Sequence, residues 1–181
     1  MTLTDQGGTR LPIYPEPPDP AALGVELRLG WLKGDATLEA DAKAFWKACD
    51  VLPTDEAAEK RAPQILLAAY AGERLVAVST AAIRETPYLR CKMALYRCAV
   101  DPEYRGQMMS VMITAHSFKV LEDWSLAHPD EGVMGVMAVM QNEKYQRKTH
   151  PHRPPETRLS LAFFNDRNQK VCVGWFDHAR L

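Results

Sequence analysis

Val100-Asp101-Pro102-Glu103-Tyr104-Arg105-Gly106-Gln107 stands between a short apolar run, Met93 to Val100, and a segment from Met108 onward whose apolar residues recur at helical spacing. A strand that ends in a tight, basic, glycine-containing turn and opens straight into a helix leaves the first amides of that helix without intrahelical acceptors. The helix dipole adds partial positive charge at the same end. The stretch therefore reads as an anion site.

The flanking sequence supplies the scaffold for such a turn. Upstream, Val25, Leu27, Leu29 and Trp31 alternate with Glu26, Arg28 and Gly30, the period of a half-buried strand. From Thr37 the period changes: Leu38, Ala42, Phe45, Trp46 and Cys49 fall on one helical face behind a capping Asp35 or Thr37, and Pro53 closes the segment. The acidic-then-basic stretch Asp55 to Arg61 predicts a second short helix. Two apolar runs, Gln64 to Tyr70 and Arg74 to Ile83, flank Ala71-Gly72-Glu73 and predict a hairpin, and Lys92 to Val100 predicts a fourth strand.

Downstream, Val111, Met112, Ala115, Phe118, Leu121 and Trp124 share one side of a helix. Val133 to Met140 has no polar face and reads as a central strand covered on both sides. A polar, basic segment from Asn142 to Arg153 contains a short helix, and Leu159 to Phe164 and Val171 to Phe176, joined by Asn165-Asp166-Arg167-Asn168, form a second hairpin. Residues 1–24 carry Pro12, Pro15, Pro17, Pro18 and Pro20 and read as an extended arm.

Composition narrows the class. The chain of 181 residues with a formal charge of −1 is one domain's worth, with no bulk charge suited to nucleic acid. No apolar run approaches the roughly 20 residues of a membrane span, and no signal-peptide layout is present, so the reading is a cytoplasmic protein without a membrane partner. Cys49, Cys91, Cys98 and Cys172 form no C-x-x-C pair and suit reduced thiols. His150 and His152 lack a third donor at zinc-like spacing, so no metal is expected. Lys144, Arg147, Lys148 and Arg153 make a basic patch that fits a charged, solvated helix face better than a phosphate contact.

Val100, Pro102, Tyr104, Arg105, Gly106 and Gln107 resemble the signature of the GNAT superfamily of acyl-CoA-dependent N-acyltransferases. In that family a Val-x-Pro-x-x-Arg-Gly strand end leads into an Arg/Gln-x-x-Gly-x-Gly/Ala loop that holds the pyrophosphate of coenzyme A. Met108 and Ser110 stand where the pattern has small residues. The element order agrees with that fold across residues 25 to 177. The resemblance implies an α/β (α+β) domain over 25–181, a mixed and mostly antiparallel sheet with helices on both faces.

The implied activity is N-acyl transfer, most simply acetyl transfer, from acetyl-CoA or another acyl-CoA to a primary amine by direct attack in a ternary complex. The expected partner is a small-molecule or protein amine, with a homodimer as the expected assembly. Carried over residue by residue, the backbone of Cys98, Ala99 and Val100 would lie against the pantetheine arm, with an amide near Ala99 or Val100 facing the thioester oxygen. Arg105, Gly106, Gln107, Met108, Met109 and Ser110 would line the pyrophosphate pocket, and Asn142 would complete the cofactor contacts. Tyr145 would protonate the departing thiolate, although Thr149 and His150 replace the Gly-Phe that often follows that tyrosine. Ala94 occupies the place of the general-base glutamate many members carry, which leaves Glu73, His116, His128 or an amine that arrives neutral through water. The rival reading is a domain that keeps the fold without the chemistry, a binding or assembly module.

Overall fold

The computed structural model describes residues 14–141 and 155–180. They form one seven-stranded sheet of β1 (Glu26–Leu29), β2 (Ile65–Ala71), β3 (Arg74–Thr86), β4 (Cys91–Val100), β5 (Val133–Val139), β6 (Ser160–Phe164) and β7 (Lys170–Trp175), in the order β1-β2-β3-β4-β5-β7-β6. Every neighbouring pair is antiparallel except β4 and β5. A parallel pair needs a crossover, and α3 (Met109–Ala127) supplies it.

The helices begin where local chemistry satisfies their first amides. Asp35 caps α1 (Ala36–Ala48), its carboxylate accepting from the amides of Thr37 at 3.0 Å and Leu38 at 3.1 Å. Thr54 caps α2 (Asp55–Arg61) by accepting from Ala57 at 3.1 Å, a signal the acidic-then-basic reading passed over. These two helices bury Leu38, Ala42, Phe45, Trp46 and Ala58 against Ile65, Ala68, Tyr70 and Val78 on one face of the sheet. On the other face, Met109, Met112, Ile113, Phe118 and Leu121 of α3 pack against Leu66, Val76, Ala94, Tyr96 and Val136. The layered α/β architecture expected from the element order is thus the one observed.

Polar groups inside the layers are joined in pairs. Tyr70 donates to the Asp41 carboxylate at 2.7 Å beneath the Arg28 guanidinium, and burial together with that bond pushes its hydroxyl up to about 12. The β2 strand shifts register between Ile65 and Leu67, and the Ser79 hydroxyl bridges that irregularity, accepting from the Leu67 amide at 3.1 Å. The same hydroxyl lies 2.9 Å from that of Ser117, pinning α3 to β3.

Residues 15–19 of the arm carry no regular structure, but Ala21–Leu23 depart from the extended path expected of it. Pro20 is already in the right-handed helical region, and Asp19 accepts from the Ala21 amide at 3.0 Å, which closes one 3-10 turn. The Pro18 carbonyl then meets His116 of α3 at 3.1 Å. At the opposite edge, Arg158 donates to Glu122 at 2.7 Å and to Asp177 at 2.6 Å, fixing the start of β6 and the chain end to α3.

One glycine governs the strand geometry at the centre. The register between β4 and β5 advances two residues from Lys92 to Ala94 but three from Val133 to Val136, a bulge on β5 that contains Gly135. A Cβ at Gly135 would run into the carbonyl oxygen of Gly174 and lie 3.1 Å from the Met93 terminal methyl. Gly135→Ala should therefore cost about 3 kcal/mol and lower the melting temperature by roughly 6–12 °C in calorimetry; an unchanged melting temperature would show that the bulge is not constrained by backbone contact.

Candidate functional site

β4 and β5 stay paired only as far as Tyr96 and Ala138. Beyond that point β4 remains with β3 through Val100, whereas β5 remains with β7 through Val139, whose partner is Val171. The two parallel strands part, leaving about 13 Å of β4, residues 97–100, with a ladder partner on one side only. Its side chains turn from buried at Tyr96 to exposed at Arg97 and Cys98 at the same place.

The antiparallel alternation assigns each backbone group a direction. The Asp101 amide donates to the Val76 carbonyl at 2.8 Å, so Ala99, two residues earlier, also faces β3 with its amide and carbonyl. Cys98 and Val100 therefore turn theirs toward the gap left by β5. The Arg105 guanidinium donates from Nε to the Val100 carbonyl at 3.2 Å, in keeping with that direction.

The turn that follows is satisfied in its first half and open in its second. Asp101 is buried; its carboxylate accepts from the Glu103 amide at 2.9 Å and from Arg74 at 2.7 Å, and its carbonyl accepts from the Tyr104 amide at 2.9 Å. Among the described residues, the amides of Gly106, Gln107, Met108, Met109 and Ser110 donate to no protein acceptor, while α3 begins at Met109 and runs for 19 residues. Five consecutive donors without protein acceptors thus stand at the positive end of a long helix, the kind of place where an anion is favoured.

Gly106 and Met108 shape this turn with φ values of 86° and 61°. Glycine adopts that region without cost; for methionine it is strained. Met108 caps α3 with no side-chain hydrogen bond and is 46% exposed, and its side chain belongs to neither buried core. Met109 instead sinks into the core and offers only its amide, and Ser110 is half-buried.

A buried hydrogen-bond chain ties the head of α3 to the apex of the gap. Thr114 donates to the Ser110 carbonyl at 2.6 Å, so its single proton is used and the Tyr96 hydroxyl, 3.1 Å away, is the donor to Thr114. Complete burial raises the Tyr96 hydroxyl well above its ordinary range and keeps it protonated. Reading the strand alone, nothing singled out Tyr96; its partners come from a helix 18 residues later.

Of the other sequence candidates, Tyr145 and Asn142 lie outside the described residues, as do His150 and His152. Glu73 sits exposed in the β2–β3 turn. His116 is occupied by the Pro18 carbonyl, and His128 lies at the far end of α3 against the Trp124 carbonyl. Cys98 is exposed in the gap; burial pushes the thiols of Cys49 and Cys91 up, which suits inert side chains. Among the described residues no group of three His, Cys, Asp or Glu side chains is arranged to hold a metal.

No protein-family model matches the chain, and no curated protein does. By shape it is similar to the loading GNATL domain of CurA from Lyngbya majuscula, with a TM-score of 0.58 at 12% identity over 85% of this chain and 98% of that one. It is also similar to the ribosomal-protein-S5-alanine acetyltransferase from Vibrio fischeri, with a TM-score of 0.55 at 11% identity over 87% and 96%. An acetyltransferase of the GNAT family from Streptococcus pneumoniae matches with a TM-score of 0.51 at 11% identity over 82% and 96%. The chain has the GNAT-superfamily fold.

Because Met108 holds a left-handed backbone and lies outside the buried core, Met108→Gly should raise stability by about 1 kcal/mol and the melting temperature by roughly 2–4 °C. A drop in melting temperature on this change would mean that the thioether makes a contact that matters.

Proposed function

We propose that this protein is an acyl-CoA-dependent N-acyltransferase, most simply an acetyltransferase, that moves the acyl group to a primary amine by direct attack. The observation that carries this reading is the conjunction of five amides without acceptors at the head of α3 with an adjacent strand whose parallel neighbour has turned away. Either alone is common; together they offer a diphosphate cradle that continues into a slot lined with backbone donors.

The residues fit the co-substrate. The amides of Gly106 to Ser110 would bind its diphosphate, and Arg105, exposed beside them, would add positive charge. From that anchor the arm would run back along β4 from Val100 toward Tyr96, where the Val100 and Cys98 backbone groups face it. Bound acyl-CoA supplies an activated thioester carbonyl. The Cys98 amide, which faces the gap nearer the apex, would be directed at the carbonyl oxygen and stabilise the charge that develops there when the amine attacks. The hydroxyl of Tyr145 is the proposed proton donor to the departing sulfur. β4 holds no carboxylate, so the amine loses its proton to water or to a group outside the strand.

Acetyl-CoA at millimolar concentration should raise the melting temperature, since a ligand that binds only the folded state stabilises it. Arg105→Ala should weaken that binding by about tenfold, measured by titration calorimetry. Tyr145→Phe should leave binding intact and lower turnover by roughly a hundredfold or more; full activity would remove that tyrosine from the mechanism. No thermal response of the wild-type protein to acetyl-CoA would defeat the acyltransferase reading and favour a binding or assembly module on the same fold.

A further inference from the structure

On the α1–α2 side of the sheet, a groove of about 350 Å³ runs between α2 and the β3–β4 pair. Ala82 and Leu95, directly opposite one another in the ladder, make its floor; Ala57, Lys60, Arg61 and Gln64 make the helical wall, and Arg84 and Arg97 stand at its two ends. Four cations thus line a concavity of small-molecule size.

The three arginines have no carboxylate partner among the described residues. Lys60 is paired with Glu56 at 2.6 Å, and Arg84 donates to the Ile83 carbonyl at 2.7 Å. Among the described residues the guanidiniums of Arg61 and Arg97 have no acidic partner and no hydrogen bond. Glu85, next to Arg84, alternates to the opposite face of the strand, toward α3. On the other flank of α2 the same helix neutralises its charges, with Glu59 on Lys43 at 2.9 Å and Asp55 near Lys47 at 3.7 Å. Arg61 is half-buried, and its guanidinium is driven down by burial and then by the charge of Arg97. Two guanidiniums held close together without an anion lower stability, and a bound oxyanion would reverse the effect.

The groove also lies where the reaction needs it. Arg97 is the first residue of β4 past the last β4–β5 pair, so one wall of the groove is the outer face of the strand that lines the gap. The diphosphate cradle lies at the other end of that strand segment, beyond Val100, which leaves the apex near Tyr96 and Arg97 for the acyl end. The backbone of residues 97–98 thus separates the groove from the gap.

Resting on the acyltransferase reading above, we infer that the groove lined by Lys60, Arg61, Arg84 and Arg97 holds the phosphate or carboxylate of the acyl acceptor, which is a small amine carrying an oxyanion. Guanidinium forks match either group in a bidentate manner. A nucleic-acid backbone would need a cationic track longer than this short groove.

The test follows the Nε–Hε resonances of Arg61, Arg84 and Arg97 in the full-length, 15N-labelled protein, at constant ionic strength, during titration with inorganic phosphate and, separately, with acetate. Saturable shifts of Arg61 and Arg97 are expected, tighter for whichever of the two anions the acceptor carries. In Arg97→Gln the dissociation constant should rise at least tenfold, and Arg84→Gln should give a weaker effect in the same direction. Saturating coenzyme A should leave the arginine shifts unchanged. Displacement of the anion by coenzyme A would assign the groove to the co-substrate and overturn the inference. So would the absence of saturable shifts with both anions, or shifts obtained only with an oligonucleotide. If the arginines bind phosphate but acetyl-CoA gives no thermal response, the anion site stands and the acyl-acceptor role falls with the acyltransferase reading.

Discussion

Past Tyr96, one edge of β4 loses its hydrogen-bonding neighbour inside a sheet that is otherwise continuous, and the turn into α3 and the proposed site are arranged around that loss. Backbone donors and acceptors in a half-covered slot carry a cost of about 1–3 kcal/mol for each left unpaired and dry. The protein does not remove this cost by closing the sheet. β5 is committed to β7 through Val139 and, one residue on, the Met140 amide donates to the Lys170 carbonyl at 2.8 Å, while β4 is committed to β3 as far as Val100. The bulge at Gly135 increases the local twist of β5 just before the strands diverge. The gap is thus set by pairing on its outer sides rather than by any side chain within it.

The turn after β4 extends the same logic from strand edge to helix end. Residues 101–105 close on themselves through the Asp101 side chain and carbonyl, so the backbone enters α3 in a fixed direction. Only then do five amides emerge unbonded, and the Thr114 and Tyr96 hydroxyls brace the first turn of α3 against the apex of the gap. The methionine at 108 keeps the left-handed conformation of this turn although its side chain is about half exposed and lies outside the buried core. A residue that retains a strained backbone in an exposed position indicates that the path of the turn is dictated by its surroundings.

Most of the architecture was legible because the relevant signals are local. Alternation in Val25–Trp31, the helical spacing behind Asp35, Gly72 between two apolar runs and the Asn165-to-Asn168 turn each fix an element from its own residues. The Asn165 carboxamide, for example, accepts from the amides of Arg167 and Gln169, the bond expected of asparagine in a tight turn. What escaped was non-local. Arg61, Arg84 and Arg97 are spread over 37 positions and read separately as surface charges; only the pairing of Ala82 with Leu95 under α2 makes them neighbours. Tyr96 read as one apolar residue in a strand because its hydroxyl partners sit on another element. Tyr145 and Asn142, carried from the resemblance alone, fall outside the described residues and gain no geometric support.

The two cationic features use different physics, and that difference bears on how selective each can be. The head of α3 presents main-chain amides, whose charge is fractional and fixed by the fold, so under the proposed reading it would select a diphosphate by the number and placement of its donors. The α2 groove presents whole charges on long side chains, strong but adaptable, so it selects for the sign and planarity of the anion more than for its size. Because the net charge of the chain is only −1, neither feature is backed by a large overall field, and attraction at either place decays within about 8–10 Å at physiological salt. A ligand with a single anionic group would be drawn to the face it reaches first. Separation of donor from acceptor would then depend on the strand between them, whose backbone residues 98 and 100 face the gap while the Arg97 side chain faces the groove.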